Sequence, residues 1–248
     1  MHNPMHSLGL TRSANRRDHL LQTPDTFVRA PLPGMTGGVA IVHTAPVAGA
    51  GFTQYTAELE PGGALGPTTV QRFLYVTKGE VVLSTWTEKA ALKPGGYAYI
   101  PAGQAHSVIA SEASSVVVIE KPYTPLAGVD APALCVGSEA KIATTPLGGD
   151  PDLQVGTLLP ATPAFDFAVN TMTYNPGAAL SMVEIHVMEH GLLMLEGGGI
   201  YRLGDQWYPV TAGDFIWMAP YCPQWFGALG KTPAKYLIYK DWNRHPLS

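Results

Sequence analysis

Three side chains that can bind a metal ion stand close together in an apolar stretch of the chain, SMVEIHVMEHGLLMLEGGG. Glu184 and His186 are separated by one residue, and His190 follows four residues later. Alternate residues of a strand face the same side, so Glu184 and His186 point together while Ile185 points away. If the next three residues turn the chain, His190 begins the neighbouring strand. One hairpin can therefore bring all three donors into the interior of a barrel.

Imidazole and carboxylate groups together suit a divalent ion of borderline or hard character, such as Mn, Fe, Ni, Co or Zn. The stretch contains no cysteine, which disfavours structural zinc. A lone histidine on an apolar face is usually a hydrogen-bonded core residue. Three buried ionisable groups in one hairpin would instead carry a large desolvation cost without a counter-ion. The stretch therefore predicts a metal site, with Glu189 in the turn and pointing into solvent.

An internal repeat extends through the chain. Gly79 aligns with Gly197 at an offset of 118 residues, and His106 falls opposite Gln224 at the same offset. Each copy contains short segments rich in Val, Ile, Tyr and Trp with glycines between them, which is typical of an antiparallel barrel or sandwich. Two copies predict two similar barrels.

Composition supports an all-β chain of ordinary size. The 248 residues include 27 Gly and 22 Pro, and only 14% are charged, which favours short strands and tight turns over a helix bundle. The net charge of -4 and the lack of a basic stripe disfavour a nucleic-acid partner.

Cys135 and Cys222 are the two cysteines, too few for a disulfide framework. No apolar run approaches the roughly 20 residues of a membrane span, and we expect a cytoplasmic protein without a membrane partner.

The Pro- and Ala-rich segment 121–137 is the expected joint between the two barrels. We divide the chain there, with an N-terminal barrel and its N-terminal arm in residues 1–127 and a C-terminal metal-binding barrel in residues 128–248. Residues before about position 35 belong to neither repeat. We expect them to lie across the first barrel.

The double barrel resembles a bicupin, a protein of two tandem antiparallel double-stranded β-helix (jelly-roll) barrels. Five residues fill the positions of the first cupin motif in the second barrel: Gly177, Glu184, His186, His190 and Gly197. In the second cupin motif, GDFIWMAPYCPQ, Gly213 matches and Gln224 occupies the position of the ligand histidine. A Glu-x-His-x3-His set completed by Gln is unusual among cupins and resembles the (S)-ureidoglycine aminohydrolases of purine (allantoin) breakdown. This similarity extends over nearly the whole chain and is strongest after Glu184.

The resemblance implies an enzyme that hydrolyses (S)-ureidoglycine to (S)-ureidoglycolate and ammonia. It implies one Mn²⁺ per chain, with four ligands: Glu184, His186, His190 and Gln224. It also implies that Lys240 binds the substrate carboxylate and that Tyr201 and Tyr236 make polar contacts with the substrate. We hypothesise that Glu184 additionally moves protons near the leaving amine. Without the resemblance, Lys240 would be interpreted as a surface lysine and the tyrosines as barrel aromatics.

The first barrel differs in its chemistry. Its second motif, GGYAYIPAGQAH, retains His106, but its first motif contains no histidine. At the repeat offset, Gly66, Thr68 and Arg72 stand where the second barrel has its Glu and two His. One imidazole cannot hold a catalytic metal alone. We therefore interpret this barrel as a scaffold, a packing partner or a wall of the pocket, and His106 as a relic or a core hydrogen-bonding residue.

Two other functions are compatible with the same pattern, because a fold does not determine a function. One is a different metal-dependent bicupin enzyme, such as a dioxygenase or a sugar isomerase. The other is a bicupin that binds a small molecule without catalysis. In each case the expected partner is a small molecule, a ureide under the first hypothesis, and we expect a homo-oligomer.

Overall fold

The computed structural model describes residues 9–244, and this part of the chain consists of short strands and connecting turns. Three single 3-10 turns are present in it, at Pro24–Thr26, Pro46–Ala48 and Glu139–Lys141. No helix within residues 9–244 has the length and apolarity needed to cross a membrane. The strands of the described range are β1 (Ala14–Asn15), β2 (His19–Gln22), β3 (Thr36–Thr44), β4 (Thr53–Ala64), β5 (Gln71–Lys78), β6 (Val81–Ser84), β7 (Lys89–Leu92), β8 (Gly96–Ile100), β9 (Ser107–Ala110), β10 (Ser114–Lys121), β11 (Cys135–Ser138), β12 (Thr144–Leu147), β13 (Asp150–Thr157), β14 (Ala168–Tyr174), β15 (His190–Glu196), β16 (Gly198–Leu203), β17 (Gln206–Thr211), β18 (Phe215–Met218), β19 (Gln224–Ala228) and β20 (Ala234–Lys240).

The strands form two antiparallel barrels in tandem. The first contains one sheet in the order β11-β8-β5-β10-β4-β9-β6-β7, with β3 also paired to β4. The second contains a sheet in the order β1-β2-β18-β15-β20-β14-β13-β12 and a three-stranded sheet, β17-β16-β19. The predicted all-β architecture of two jelly-roll barrels is confirmed.

The aligned glycines of the repeat occupy equivalent turns. Gly79 separates β5 from β6 and Gly197 separates β15 from β16, and both have positive φ angles, 74° and 63°. A Cβ atom at Gly79 would lie 2.4 Å from the Ala113 carbonyl oxygen, and one at Gly197 would lie 2.4 Å from that of Pro233. The same steric demand acts in both barrels, because only glycine accepts this conformation and this approach without strain.

The strands where the two barrels meet are buried on both faces. In β5, Leu74 points into the first barrel, whereas its neighbour Phe73 joins an apolar cluster shared by both barrels. In β15, Leu192 points into the second barrel and Leu193 joins the shared cluster. Burial of one such side chain stabilises the fold by roughly 1.5–3 kcal/mol. The shared cluster is rich in aromatic rings: Phe52, Phe73, Tyr75, Tyr97, Tyr99, Phe165, Phe167, Phe215, Trp217 and Tyr239.

Each barrel is completed by a strand from the other half of the sequence. β2 pairs with β18 of the second barrel, and β11 pairs with β8 of the first. Leu21 of β2 is fully buried in the core of the second barrel, and Arg12 binds buried Asp214 through two hydrogen bonds of 2.6 and 2.9 Å. The expectation that the arm lies across the first barrel is therefore wrong for β1 and β2. β2 covers what would otherwise be the exposed edge of β18, and β1 pairs with the outer edge of β2.

The chain between β10 and β11 has no strand, in keeping with a connecting segment. A boundary between residues 127 and 128 stays a prediction. The strand pairing crosses that boundary in both directions.

A candidate metal centre in the second barrel

The four predicted ligands come together from three places in the second barrel. His190 is the first residue of β15 and Gln224 is the first residue of β19. Glu184 is joined to Gln224 by an isolated antiparallel bridge, in which Glu184 N–H donates to the Gln224 carbonyl at 2.8 Å and Gln224 N–H donates to that of Glu184 at 3.0 Å. The rest of the segment before β15 is irregular rather than the predicted strand. The predicted alternation still holds locally, because Ile185 points outward and is 61% exposed.

The donor atoms surround the Nε2 atom of His186. The Gln224 side-chain amide lies 2.7 Å from it, His190 Nε2 lies 3.4 Å from it, and Glu184 Oε2 lies 3.8 Å from it. The carbonyl of His186 accepts a hydrogen bond of 2.7 Å from Tyr221 N–H, which holds this irregular segment in place. Half a turn of the Gln224 amide would present its oxygen in place of its nitrogen. An imidazole, a carboxylate and an amide, each with an atom within 3.8 Å of His186 Nε2, are donor types that a divalent ion accepts.

Burial keeps the His190 imidazole neutral, which is the protonation state that binds a metal ion. Its side chain is 3% exposed and its Nδ1 lies 3.2 Å from the Tyr239 carbonyl oxygen. Burial lowers the pKa of His190 well below its ordinary value, and the charges of Lys240 and His186 lower it further. The neutral ring donates its Nδ1 hydrogen to the carbonyl and leaves Nε2 free to act as a ligand.

All seven predicted site residues line one cavity of about 180 Å³. Tyr201 and Tyr236 are almost fully buried, and burial raises the pKa of each phenol well above its ordinary value. The Tyr236 hydroxyl lies 2.7 Å from that of Tyr174. Burial lowers the pKa of Lys240, and the charge of Glu184 acts in the opposite direction. The other lining side chains are apolar: Leu147, Met172, Leu180, Met188 and Ile238.

A larger open groove of about 610 Å³ lies elsewhere on the molecule and contains none of the seven. Its ionisable side chains include Glu139 and Lys235, which form a salt bridge of 2.6 Å with each other. Glu196 also lines this groove, and no histidine within residues 9–244 does. With its lysine already paired, the groove offers neither imidazole ligands nor a free cation for an anionic substrate, so we place the chemistry in the smaller cavity.

Glu189 was predicted to be a solvated turn residue, and this prediction is wrong. The side chain is 5% exposed and its carboxylate accepts hydrogen bonds from Trp217 Nε1 at 2.8 Å and from Gly51 N–H at 2.9 Å. Burial raises the pKa of Glu189, while both hydrogen bonds act in the opposite direction. Its donors are far away in sequence, so no local pattern could have indicated them.

The equivalent position of the first barrel is filled by a guanidinium group. Arg72 donates to His106 Nε2 at 2.9 Å, to the Gly66 carbonyl at 2.9 Å and to Glu120 Oε1 at 2.7 Å. His106 Nδ1 lies 2.7 Å from the Gln104 carbonyl, to which it donates. His106 thus acts as a core hydrogen-bonding residue, one of its two predicted roles, and the buried cation opposes metal binding here.

A second group of metal-type donors was missed by the sequence analysis. Asp18, His19 and Cys222 place one donor atom each within 4.8 Å of one another, where the arm meets β18. His19 Nδ1 lies 2.9 Å from Asp18 Oδ1, and its Nε2 lies 3.0 Å from the Tyr208 hydroxyl. Burial raises the pKa of the Cys222 thiol to about 11. Both ring nitrogens of His19 are thus engaged, by Asp18 and by Tyr208. The Cys222 thiol donates to the Pro223 carbonyl. We therefore interpret this group as the anchor of the arm.

Two antiparallel barrels, one of which carries a Glu/His/His/Gln set, define a cupin protein with two barrels. The family model of the Cupin domain matches residues 55–120 and 170–239. More narrowly, the chain belongs to the (S)-ureidoglycine aminohydrolase family. It is 43% identical over 242 residues to "(S)-ureidoglycine aminohydrolase" of Arabidopsis thaliana, covering 96% of this chain and 80% of the relative. It is 32% identical over 231 residues to the protein of that name from Escherichia coli K12, covering 90% and 88%.

A solved structure shares the fold of the whole chain. The crystal structure of protein Ylba from E. coli superposes with a TM-score of 0.85 at 29% identity, covering 97% of this chain and 98% of the other. The similarity therefore extends over both barrels and is not confined to one cupin unit.

Proposed function

We propose that this chain hydrolyses (S)-ureidoglycine to (S)-ureidoglycolate and ammonia in purine (allantoin) catabolism. The relatives named above carry this activity in their names. The observation that carries the proposal is the meeting of a Glu/His/His/Gln donor set with Lys240 in one cavity of about 180 Å³. Such a cavity suits a small molecule with a negative charge and hydrogen-bonding groups.

We further propose that Glu184, His186, His190 and Gln224 hold one Mn²⁺. The two oxygen donors and the absence of thiolate from the set favour a harder ion. When bound, such an ion polarises and orients a chelating substrate. The remaining steps of the proposal concern the side chains of the chain itself.

Lys240 is the proposed binding group for the substrate carboxylate. A lysine whose pKa is lowered by burial gains from an anionic ligand, because the ligand compensates the desolvation of the ammonium group. The Tyr201 and Tyr236 phenols remain protonated at neutral pH and can donate hydrogen bonds to substrate oxygen atoms. Together these groups would fix one orientation of the substrate carbon and so the face that water attacks.

Glu184 is the proposed proton carrier. Water supplies a hydroxyl to the substrate carbon while the amine departs with a proton as ammonia, so one group must move a proton between the two. The Glu184 side chain is 39% exposed, lines the cavity and can do this. Replacement Glu184→Gln should leave the fold intact and abolish turnover. Full activity of that variant would refute the proton-carrier role.

The test of the function is to incubate Mn-loaded protein with freshly generated ureidoglycine and to follow ammonia release and the chirality of the product. Because ureidoglycine decomposes spontaneously, an enzyme-free control sets the background. Oxygen uptake in the presence of Fe²⁺ would indicate a dioxygenase instead. Protein that binds no metal ion after loading would indicate a binding protein.

The predictions of a cytoplasmic homo-oligomer without a nucleic-acid or membrane partner stay proposals. Exposed apolar residues support self-association: Met182 is 66%, Ile185 61% and Tyr221 64% exposed, all in segments next to the candidate site. Light scattering of the purified protein measures the oligomeric state. A monomer across the accessible concentration range would contradict the proposal.

A further inference from the structure

The segment that carries His190 packs against the first barrel. Residues 51–54 of the first barrel lie behind it, and Gly51 N–H donates to both carboxylate oxygens of Glu189 at 2.9 and 3.0 Å. On the other side of His190, a Cβ atom at Gly191 would lie 2.5 Å from the Phe52 ring. Phe52 also stacks on Tyr239, with ring centroids 3.9 Å apart. Both neighbours of the candidate ligand therefore contact the first barrel directly.

Glu189 links this contact with the first barrel to two residues of the candidate site, His190 and Lys240. Its carboxylate also accepts the 2.8 Å hydrogen bond from Trp217, and its own N–H donates to Asp241 Oδ1 at 2.7 Å. Glu189 precedes His190 in the chain, Asp241 follows Lys240, and His190 pairs with Lys240 across β15 and β20. One buried carboxylate thus lies at the point where the His190 strand, the Lys240 strand and the first barrel meet.

We propose that Glu189 is a positioning residue through which the first barrel holds His190 and Lys240 in the geometry of the site. The proposal rests on the metal site inferred above. A buried carboxylate is costly unless its donors stay in place, so Glu189 and Gly51 constrain each other. Any displacement of Glu189 moves the backbone that begins at His190. The first barrel, whose own ligand positions are filled by Arg72, is then a working part of the second barrel's site.

A matched control is available at the same interface. Asp166 is 6% exposed and accepts hydrogen bonds from Gln71 Nε2 at 2.7 Å and from Thr124 N–H at 3.0 Å. It therefore also joins the two halves of the chain through a buried carboxylate. Unlike Glu189, it does not adjoin a candidate ligand. Asp166→Asn should lower stability without changing metal affinity.

The experiment measures Mn²⁺ affinity by calorimetry for the wild type, Glu189→Gln, Gly51→Ala and Asp166→Asn, with thermal unfolding of each metal-free protein. Gly51→Ala acts from the first barrel, because its Cβ would lie 3.0 Å from Glu189 Oε2. We expect Glu189→Gln to weaken Mn²⁺ binding by roughly 10- to 100-fold, the usual cost of losing a group that orients a metal ligand. Gly51→Ala keeps its N–H donor but displaces the carboxylate, so it should weaken Mn²⁺ binding in the same direction and by a smaller factor. Asp166→Asn should bind Mn²⁺ like the wild type although it unfolds at a lower temperature.

Wild-type affinity in Glu189→Gln would overturn the proposal, and so would an equal loss of affinity in Asp166→Asn. If Glu189→Gln does not fold, Gly51→Ala decides, and unchanged affinity there overturns the proposal. The readout needs no substrate. Wild-type protein that binds Mn²⁺ but does not hydrolyse ureidoglycine would therefore refute the proposed reaction alone, whereas wild-type protein that binds no Mn²⁺ would refute the positioning role together with the metal site.

Discussion

Replacement of Lys240 by methionine should change activity and stability in opposite directions. In the proposed reaction the ammonium group makes a charge-assisted hydrogen bond to the substrate carboxylate, and loss of such a bond costs about 1.5–3 kcal/mol. At 1.4 kcal/mol per factor of ten, this predicts a fall in kcat/KM of roughly 10- to 150-fold. The side chain lines the cavity and burial lowers its pKa. Folding therefore disfavours the charged form, and the variant should unfold at the same or a higher temperature than the wild type.

Lys235→Met is the control, because it removes the same charge from the same strand, β20. Lys235 forms a salt bridge of 2.6 Å with Glu139 outside the cavity, so its loss should lower the unfolding temperature and leave kcat/KM unchanged. The assay is steady-state ammonia release together with thermal unfolding of both metal-free variants. Wild-type kcat/KM in Lys240→Met, or an equal fall in Lys235→Met, would refute the assigned role of Lys240.

Three further predictions test the arm, the ligand set and a buried histidine. Leu21→Ala should lower the free energy of unfolding by about 2–5 kcal/mol, since Leu21 is fully buried; denaturant titration measures this, with the 98% exposed Val47 changed to Ala as a neutral control. Gln224→His should retain a metal ion but shift its preference from Mn²⁺ toward Ni²⁺, Co²⁺ or Zn²⁺, and competitive loading followed by elemental analysis would expose an unchanged preference. Burial lowers the pKa of His43 to about 3. Between this value and the ordinary histidine pKa of about 6.5, His43 is therefore protonated in the unfolded chain but neutral in the folded protein. The contribution of His43 to the free energy of unfolding should be fully present above pH 6.5 and should fall as the pH drops toward 3, by up to about 1.4 kcal/mol per pH unit. Unfolding curves of His43→Gln measured over this pH range should show a smaller loss of stability.

The sequence predicted correctly those features that depend on residues close to each other in the chain. The Glu184, His186 and His190 spacing indicated a convergent donor set, and these three side chains do line one cavity. The glycines of the repeat indicated two barrels because each occupies a left-handed turn that other residues avoid. The regular strand expected at Glu184 did not form, since that residue makes only an isolated bridge to Gln224.

Long-range partners were outside the reach of these patterns. Glu189 looked like a solvated turn residue because its donors, Gly51 and Trp217, lie 138 and 28 residues away. The arm could not be assigned to a barrel from its own residues, since the free edge of β18 exists only after the second barrel has formed.

Local side-chain type and spacing therefore predicted the all-β class, the repeat and the convergence of Glu184, His186 and His190, because these depend on backbone geometry within a few residues. Gln224 entered the predicted donor set only through the family resemblance. Only the tertiary structure decided that the barrels exchange strands and that Gly51 of the first barrel binds Glu189, next to His190, in the second. These features depend on contacts between residues that are far apart in the sequence. A buried strand edge or carboxylate must find hydrogen-bond partners, but only the completed fold determines which distant residues supply them.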